Sequence, residues 1–226
     1  MANGRNRKIK DSSQVPNVIA VVGPFRSGTS CVAGMLHVLG VSMGQRFMPP
    51  LPPNPKGFFE AVNLRHVCQR ICQTPLRKDA GLFADASKRV NPLRKHIEFR
   101  SGESNPLGVK HPNLCFLVSD MAEAWPGVKI VAVTRDINAV VASMLKSNLL
   151  PKRPESELCE AISRMISARG KAIEELQVPC LSLRYPDILD HAQQTVENLI
   201  SFCGISPTPQ QIEEAVAFLD RELCHN

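Results

Sequence analysis

Residues Gly23 to Ser30, reading Gly-Pro-Phe-Arg-Ser-Gly-Thr-Ser, put two glycines, one cation and three hydroxyls into eight consecutive positions. Those residue types suit a phosphate: glycines let backbone N–H groups approach an anion, while the cation and hydroxyls complete its shell. Gly23 and Gly28 keep the spacing of a loop that cradles nucleoside triphosphates, but Thr29 stands where that loop carries its lysine. The positive charge has moved into the turn, at Arg26. Without the lysine, and without an acidic residue at the end of the second strand to hold magnesium, hydrolysis of ATP or GTP is disfavoured. A plain Gly/Ser turn is the competing reading of the same residues.

The context favours the phosphate. Val18-Ile19-Ala20-Val21-Val22 is an apolar, β-branched run suited to a buried strand, and Val32, Met35, Leu36 and Leu39 recur at helical spacing after it. Strand, glycine-bounded turn and helix N-terminus therefore follow in order. A second run, Val128 to Thr134, leads straight into Arg135-Asp136, with Asp136 as N-cap and Ile137, Val140, Val141, Met144 and Leu145 as the apolar stripe behind it. Arg135 thus stands at the carboxyl end of a strand, where open α/β sheets bind ligands. Ser143 lies two helical turns on, and the pair can share one phosphate through a charge-assisted contact and a hydroxyl. An Arg-Asp ion pair at the start of the helix is the alternative. One ligand touching both loops requires the two strands to lie side by side or nearly so, with both carboxyl ends opening on one cleft.

With these elements in place the chain resembles the sulfotransferase family, whose sulfuryl donor is 3′-phosphoadenosine-5′-phosphosulfate. The first family signature, [KR]-S-G-T-[ST], is matched by Arg26, Ser27, Gly28, Thr29 and Ser30; the second, an arginine followed eight residues later by a serine, by Arg135 and Ser143. Between them Gly108-Val109-Lys110-His111-Pro112 looks like the K-x-P element of many members. Tyr185-Pro186-Asp187-Ile188 is similar to the turn that follows a late strand, and makes Tyr185 a further donor-site residue. The resemblance spans roughly residues 17 to 203 and implies a three-layer α/β fold, a central parallel sheet flanked by helices as in P-loop nucleotide kinases. It also implies the 5′-phosphosulfate over Arg26 to Ser30, the 3′-phosphate at Arg135 and Ser143, adenosine 3′,5′-bisphosphate as product, and no metal.

Transfer of a sulfuryl group needs a base for the acceptor's proton and positive charge for the leaving phosphate. Glu60, closing Asn54-Pro55-Lys56-Gly57-Phe58-Phe59-Glu60, resembles an element of bacterial-type members, and its apolar surroundings predict a raised affinity for protons. An acid favouring a helix N-terminus is the competing reading. His111 is the other candidate base, although it follows Lys110 one place earlier than in histidine-using cytosolic members; a histidine capping a strand end is its simpler reading. Arg26 takes the place of the family's loop lysine. A planar guanidinium cannot act as a compact proton-donating charge, so Lys110 is expected to supply part of it.

A chain of 226 residues with 43% apolar content can build one packed α/β domain, placed at residues 17–226, behind a basic, disordered tail at 1–16. The net charge of +6 is weighted toward that tail by Arg5, Arg7, Lys8 and Lys10, read as solvated rather than as a membrane or nucleic-acid arm. No stretch is apolar enough to cross a bilayer or to serve as a signal-peptide core, so the expected setting is cytoplasmic. Eight cysteines without a C-x-x-C pair read as reduced thiols. Pro49 to Pro55 reads as a surface loop, residues from about 60 to 73 as a helix and the stretch from there to about 100 as basic and weakly apolar; after a loop at Leu149 to Pro154, a long amphipathic helix carries Leu158, Ile162, Met165, Ile166, Ile173 and Leu176 on one side. A small-molecule or nucleotide kinase and a non-catalytic nucleotide-binding relative stay open beside the transferase. The pocket for the acceptor, a small molecule or glycan offering a hydroxyl or amine, would be shaped by loops between residues 45 and 107, in which no motif marks a particular acceptor; the oligomeric state is not encoded in any motif.

Overall fold

Every residue of the first strand, β1 (Val18–Val22), is buried, which demands apolar cover on both faces. Its alternation supplies that cover: Val18, Ala20 and Val22 join one core, Ile19 and Val21 another. The computed structural model, which describes residues 16–72, 82–147 and 153–219, places β1 inside a parallel sheet with β2 (Leu107–Lys110), β3 (Lys129–Thr134) and β4 (Cys180–Arg184). The order is β2-β1-β3-β4. β1 pairs directly with β3, Ile19 opposite Lys129 and Val22 opposite Ala132, so the two loops that follow them are neighbours, as one shared ligand requires.

Helices cover the two faces and complete the three layers. On one side lie α1 (Thr29–Val38), α7 (Tyr185–Asp190), α8 (Ala192–Cys203) and α9 (Pro209–Ala217), packed through residues such as Leu36, Ile188, Leu199 and Ala215. On the other lie α2 (Val62–Ile71), α3 (Ser87–Phe99), α4 (Val118–Ala124), α5 (Ile137–Ser147) and α6 (Glu155–Leu176). A short 3-10 helix, Pro112–Phe116, joins β2 to α4.

One expectation is corrected: much of the basic stretch before residue 100 is helix α3, which buries Val90, Leu93 and Ile97 although Pro92 lies inside it. Proline and the run of lysines and arginines hid a stripe that repeats at i, i+3 and i+7. Trp125 holds this helix by donating its indole N–H to the Leu93 carbonyl at 3.0 Å. The Pro49–Pro55 stretch is a loop, pinched by a bridge between Leu51 and Asn54. The cysteines described, all but Cys224, are free thiols. Residues 1–15 of the basic tail, Cys224 and most of the loop after α5 lie outside the described residues. Among the described residues no helix is long and apolar enough to cross a membrane.

The tight approach of β1 to β3 has a measurable consequence. A Cβ placed on Gly23 would lie 2.7 Å from the Val133 carbonyl oxygen and equally close to Thr29 Cγ2. Backbone cannot retreat as a flexible side chain can, so Gly23→Ala is expected to cost about 1–3 kcal/mol, read as a fall in the urea midpoint with an unchanged slope.

Candidate active site

The chain leaves β1 at Val22 and turns through a loop in which two residues adopt left-handed backbone: Arg26 at φ 59° and Gly28 at φ 95°. Gly28 is the N-cap of α1, and no side chain caps that helix, so its first N–H groups stay open to a ligand. Glycine is needed twice over at 28, since a Cβ would also lie 2.2 Å from Tyr185 Cδ2. Ser27 faces inward: it is fully buried and its hydroxyl donates to the Pro24 carbonyl at 2.7 Å, bracing the loop. Thr29 is buried too. Ser30 Oγ turns toward β2 and accepts from Lys110 Nζ at 3.2 Å.

At the end of β3 the Asp136 side chain accepts from the Ala139 N–H at 2.9 Å, the expected cap of α5. Arg135 swings back over the first loop, its guanidinium 5.0 Å from the Tyr185 ring centroid and its Nη1 donating to the Arg26 carbonyl at 3.4 Å. Arg26 itself reaches to α5, where Nε donates to Ser143 Oγ at 3.0 Å, and to the proline-rich loop, where Nη1 donates to the Pro53 carbonyl at 3.1 Å. Ser143 therefore partners Arg26 in this structure. Burial first and Arg135 second lower the proton affinity of Arg26, with Tyr185 acting in the opposite sense. Two guanidinium groups in one cleft make a site that favours an anion.

Across the mouth of α1 lies a second group. Lys110, at the carboxyl end of β2 and almost fully buried, donates to Glu60 Oε1 at 2.6 Å as well as to Ser30. Two devices hold Glu60 there. Its backbone carbonyl accepts from the Met48 N–H at 3.0 Å while the Val62 N–H reaches the Arg46 carbonyl at 2.9 Å, tying the segment to an antiparallel partner. Phe59 takes a left-handed φ of 52°, costly for a bulky residue, and turns its ring among His37, Phe47 and Phe218 while Glu60 faces the cleft. Glu60 thus precedes α2 without sitting in its first turn; its partner is a side chain, not a helix dipole.

The expectation of raised proton affinity at Glu60 is overturned. Burial pushes its carboxyl up, but Lys110, aided by smaller neighbouring charges, outweighs burial and holds the group below the ordinary carboxylate range. His111 behaves differently. Its Nδ1 accepts from the Asn113 N–H at 3.2 Å, so the neutral ring carries its proton on Nε2, 4.0 Å from Glu60 Oε2. It caps the helical turn that follows β2, close to the simpler of its two sequence readings. Burial above all lowers its pKa to about 4, leaving it neutral near pH 7.

One buried charge escaped the sequence reading. Arg169 lies on the apolar stripe of α6, with Leu158, Ile162 and Met165, and donates from Nη1 to the Val22 and Val133 carbonyls at 3.0 and 2.9 Å. The signal was present: a cation four residues beyond Met165 and four before Ile173, on a face otherwise apolar. Among the described residues no group of three or more His, Cys, Asp or Glu side chains is placed to hold a metal ion.

A family model described as the sulfotransferase family matches residues 16–209. The chain belongs to that family and is a sulfotransferase, an enzyme of sulfuryl transfer. Its fold is similar to a sulfotransferase domain from the curacin biosynthetic pathway, with a TM-score of 0.61 and 15% identity over 92% of this chain and 84% of that one. It is also similar to the sulfotransferase domain of the Synechococcus PCC 7002 olefin synthase, at 0.54 and 20% identity over 91% and 79% of the two chains. Sulfotransferase STF1 from Mycobacterium tuberculosis H37Rv gives 0.54 and 12% identity over 90% and 71%. No curated protein sequence matches the chain. The family decides against the kinase and the merely nucleotide-binding readings.

The buried histidines predict an acid-sensitive fold. His111, facing Glu60, Lys110 and Arg65, and His96, facing Arg100 and Glu103, both have pKa values lowered from 6.5 to about 4, chiefly by burial. The unfolded chain takes up protons below 6.5 that the folded one refuses, so stability is present above that pH and falls as pH drops toward 4. Each histidine should cost about 2 kcal/mol between pH 7 and pH 5. His111→Asn, whose amide oxygen can still accept from Asn113, should remove about half of the slope in urea midpoint against pH.

Proposed function

We propose that this enzyme takes its sulfuryl group from 3′-phosphoadenosine-5′-phosphosulfate and passes it to a hydroxyl or amine of a small-molecule or glycan acceptor. The observation that carries the reading is Lys110, buried between Ser30 Oγ at the open end of α1 and the carboxylate of Glu60. One cation there serves both partners of a transfer. When bound, the donor supplies an activated sulfuryl group on a phosphate leaving group, and the residues present suit it. The open N–H groups at Gly28 to Ser30 offer an anion seat for the 5′ end, and Arg26, Arg135 and Ser143 offer a second for the 3′-phosphate, with Tyr185 backing Arg135.

Glu60 is the base of this reading. A base must be ionised at working pH, and the Lys110 contact guarantees that while lowering basicity. As an acceptor approaches, Glu60 removes the proton from its hydroxyl or amine, and Lys110 is left to face the charge that gathers on the phosphate oxygen near Ser30. His111, neutral and holding its Nε2 proton toward Glu60, orients the carboxylate. Lys110 rather than Arg26 is then the compact cation of the reaction.

Release of adenosine 3′,5′-bisphosphate from the sulfated donor across a panel of phenols, alcohols and amines tests the reading directly. No product with any acceptor class, and no binding of the bisphosphate, would remove it. Glu60→Gln keeps size and hydrogen bonding, so turnover should fall by roughly 10²–10⁴-fold with donor affinity unchanged. A larger loss in His111→Asn than in Glu60→Gln would move the base to the histidine. Arg135→Ala should weaken the 3′-phosphorylated nucleotide by about 1.5–3 kcal/mol in calorimetry and hardly affect one lacking that phosphate; equal losses would make Arg135 structural.

A further inference from the structure

Arg169 is a buried cation that none of the donor-site contacts uses. It projects from the middle of α6 through the apolar layer, is 5% exposed, and among the described residues pairs with no carboxylate. Removing a guanidinium from water without a counter-charge is expensive, and apolar residues fill the other positions of this stripe. The charge is spent on two acceptors. One Nη1 donates to the carbonyl of Val22, the last residue of β1, and to the carbonyl of Val133, the penultimate residue of β3.

Those carbonyls mark the start of the two loops that carry the arginines. Gly23 to Ser30 follows Val22, and Thr134-Arg135 follows Val133. The sheet ladder between β1 and β3 runs only as far as Val22 opposite Ala132. Beyond it the ladder gives no further rung although the chains stay close, a Cβ on Gly23 standing 2.7 Å from the Val133 carbonyl oxygen. Arg169 therefore extends the pairing past its last rung. Further out, Arg135 Nη1 bonds the Arg26 carbonyl at 3.4 Å, a contact that depends on the two exits keeping their spacing.

We propose that Arg169 is a positioning residue for the donor site: by clamping the exits of β1 and β3 it sets the separation between the anion seat at α1 and the one at Arg135, so that a nucleotide bearing phosphate at both ends is bound as a unit. The inference rests on the donor assignment above. Its signature is coupling between the two seats, which a residue that only fills the core would not affect.

The test measures adenosine 3′,5′-bisphosphate and adenosine 5′-monophosphate by calorimetry, well below each variant's melting temperature, in the wild type, Arg169→Met, Arg135→Ala and the double variant. Arg169→Met keeps the length and apolar stem but no donor. It should weaken the bisphosphate roughly 10- to 100-fold, the scale of small misplacements in a preorganised site, and the monophosphate far less. In the double variant the loss from Arg135→Ala should shrink, since an arginine already out of register has little left to lose. Arg169→Lys, which restores charge and a donor, should recover part of the affinity. Unchanged bisphosphate affinity in Arg169→Met, strictly additive losses, or equal losses for both nucleotides would overturn the proposal. Failure of both Arg169 variants to fold would assign the residue to the core alone and overturn it too. Failure of the wild type to bind the bisphosphate would instead remove the donor reading, a distinguishable result.

Discussion

Like charges crowded at one edge of a parallel sheet are the constraint on which this structure depends. Arg26, Arg135 and Lys110 leave the carboxyl ends of β1, β3 and β2, three neighbouring or adjacent strands, and Arg169 lies beneath two of them. Water would separate such charges; a binding cleft has to hold them together. The fold does so largely with neutral acceptors. Pro53 and Ser143 take the Arg26 donors, the Arg26 carbonyl takes Arg135, and Val22 and Val133 take Arg169. A carbonyl oxygen fixes a guanidinium without cancelling its charge, so the cleft keeps its attraction for an anion. Lys110 does meet a carboxylate, Glu60 Oε1 at 2.6 Å.

Strand order explains why the charges meet at this edge. In the order β2-β1-β3-β4 the chain moves outward from β1 in both directions, to β2 on one side and to β3 and β4 on the other. At such a switch point the following loops diverge and leave a crevice above the strand ends. The loop after β1 supplies Arg26 and the open end of α1, and the loop after β3 supplies Arg135. Tyr185, beginning α7 just beyond β4, closes the crevice from that edge strand by packing its ring against both Gly28 and Arg135. The Thr134 hydroxyl donates to the Leu183 carbonyl at 3.2 Å, which keeps that strand end in register with its neighbour.

What could be read in advance was local. The β1 run, the Gly23–Ser30 loop and the Arg135-Asp136 start of α5 each announce themselves within about ten residues, through β-branched runs, glycines and an N-cap. Helix α3 did not, because Pro92 and the surrounding cations obscured a stripe that only a packed neighbour reveals. The side-chain partners were less legible still. Ser143 was matched to Arg135 by their spacing on α5, yet Arg26, 117 positions away in sequence, is the guanidinium that reaches it. Glu60 was visible as an acid in an aromatic segment, whereas its paired state depends on Lys110, 50 positions away. Proton affinity is a sum over neighbours in space, and spacing along the chain does not carry it.

The exchange of arginine for lysine in the first loop follows from the same geometry. A lysine in that turn would place a compact ammonium over the end of α1; Arg26 is longer, planar and branched, and it leaves the turn to bond α5 and the proline-rich loop. That move empties the position above Ser30, and Lys110 fills it from the neighbouring strand. The left-handed backbone of Arg26, a cost for a residue with a Cβ, aims the side chain away from the helix end, while the buried β2 fixes where Lys110 emerges. The flexible four-carbon stem of a surface lysine would scatter its charge. Here burial confines it between one hydroxyl and one carboxylate, so that a compact charge is held at a fixed place beside the open end of α1.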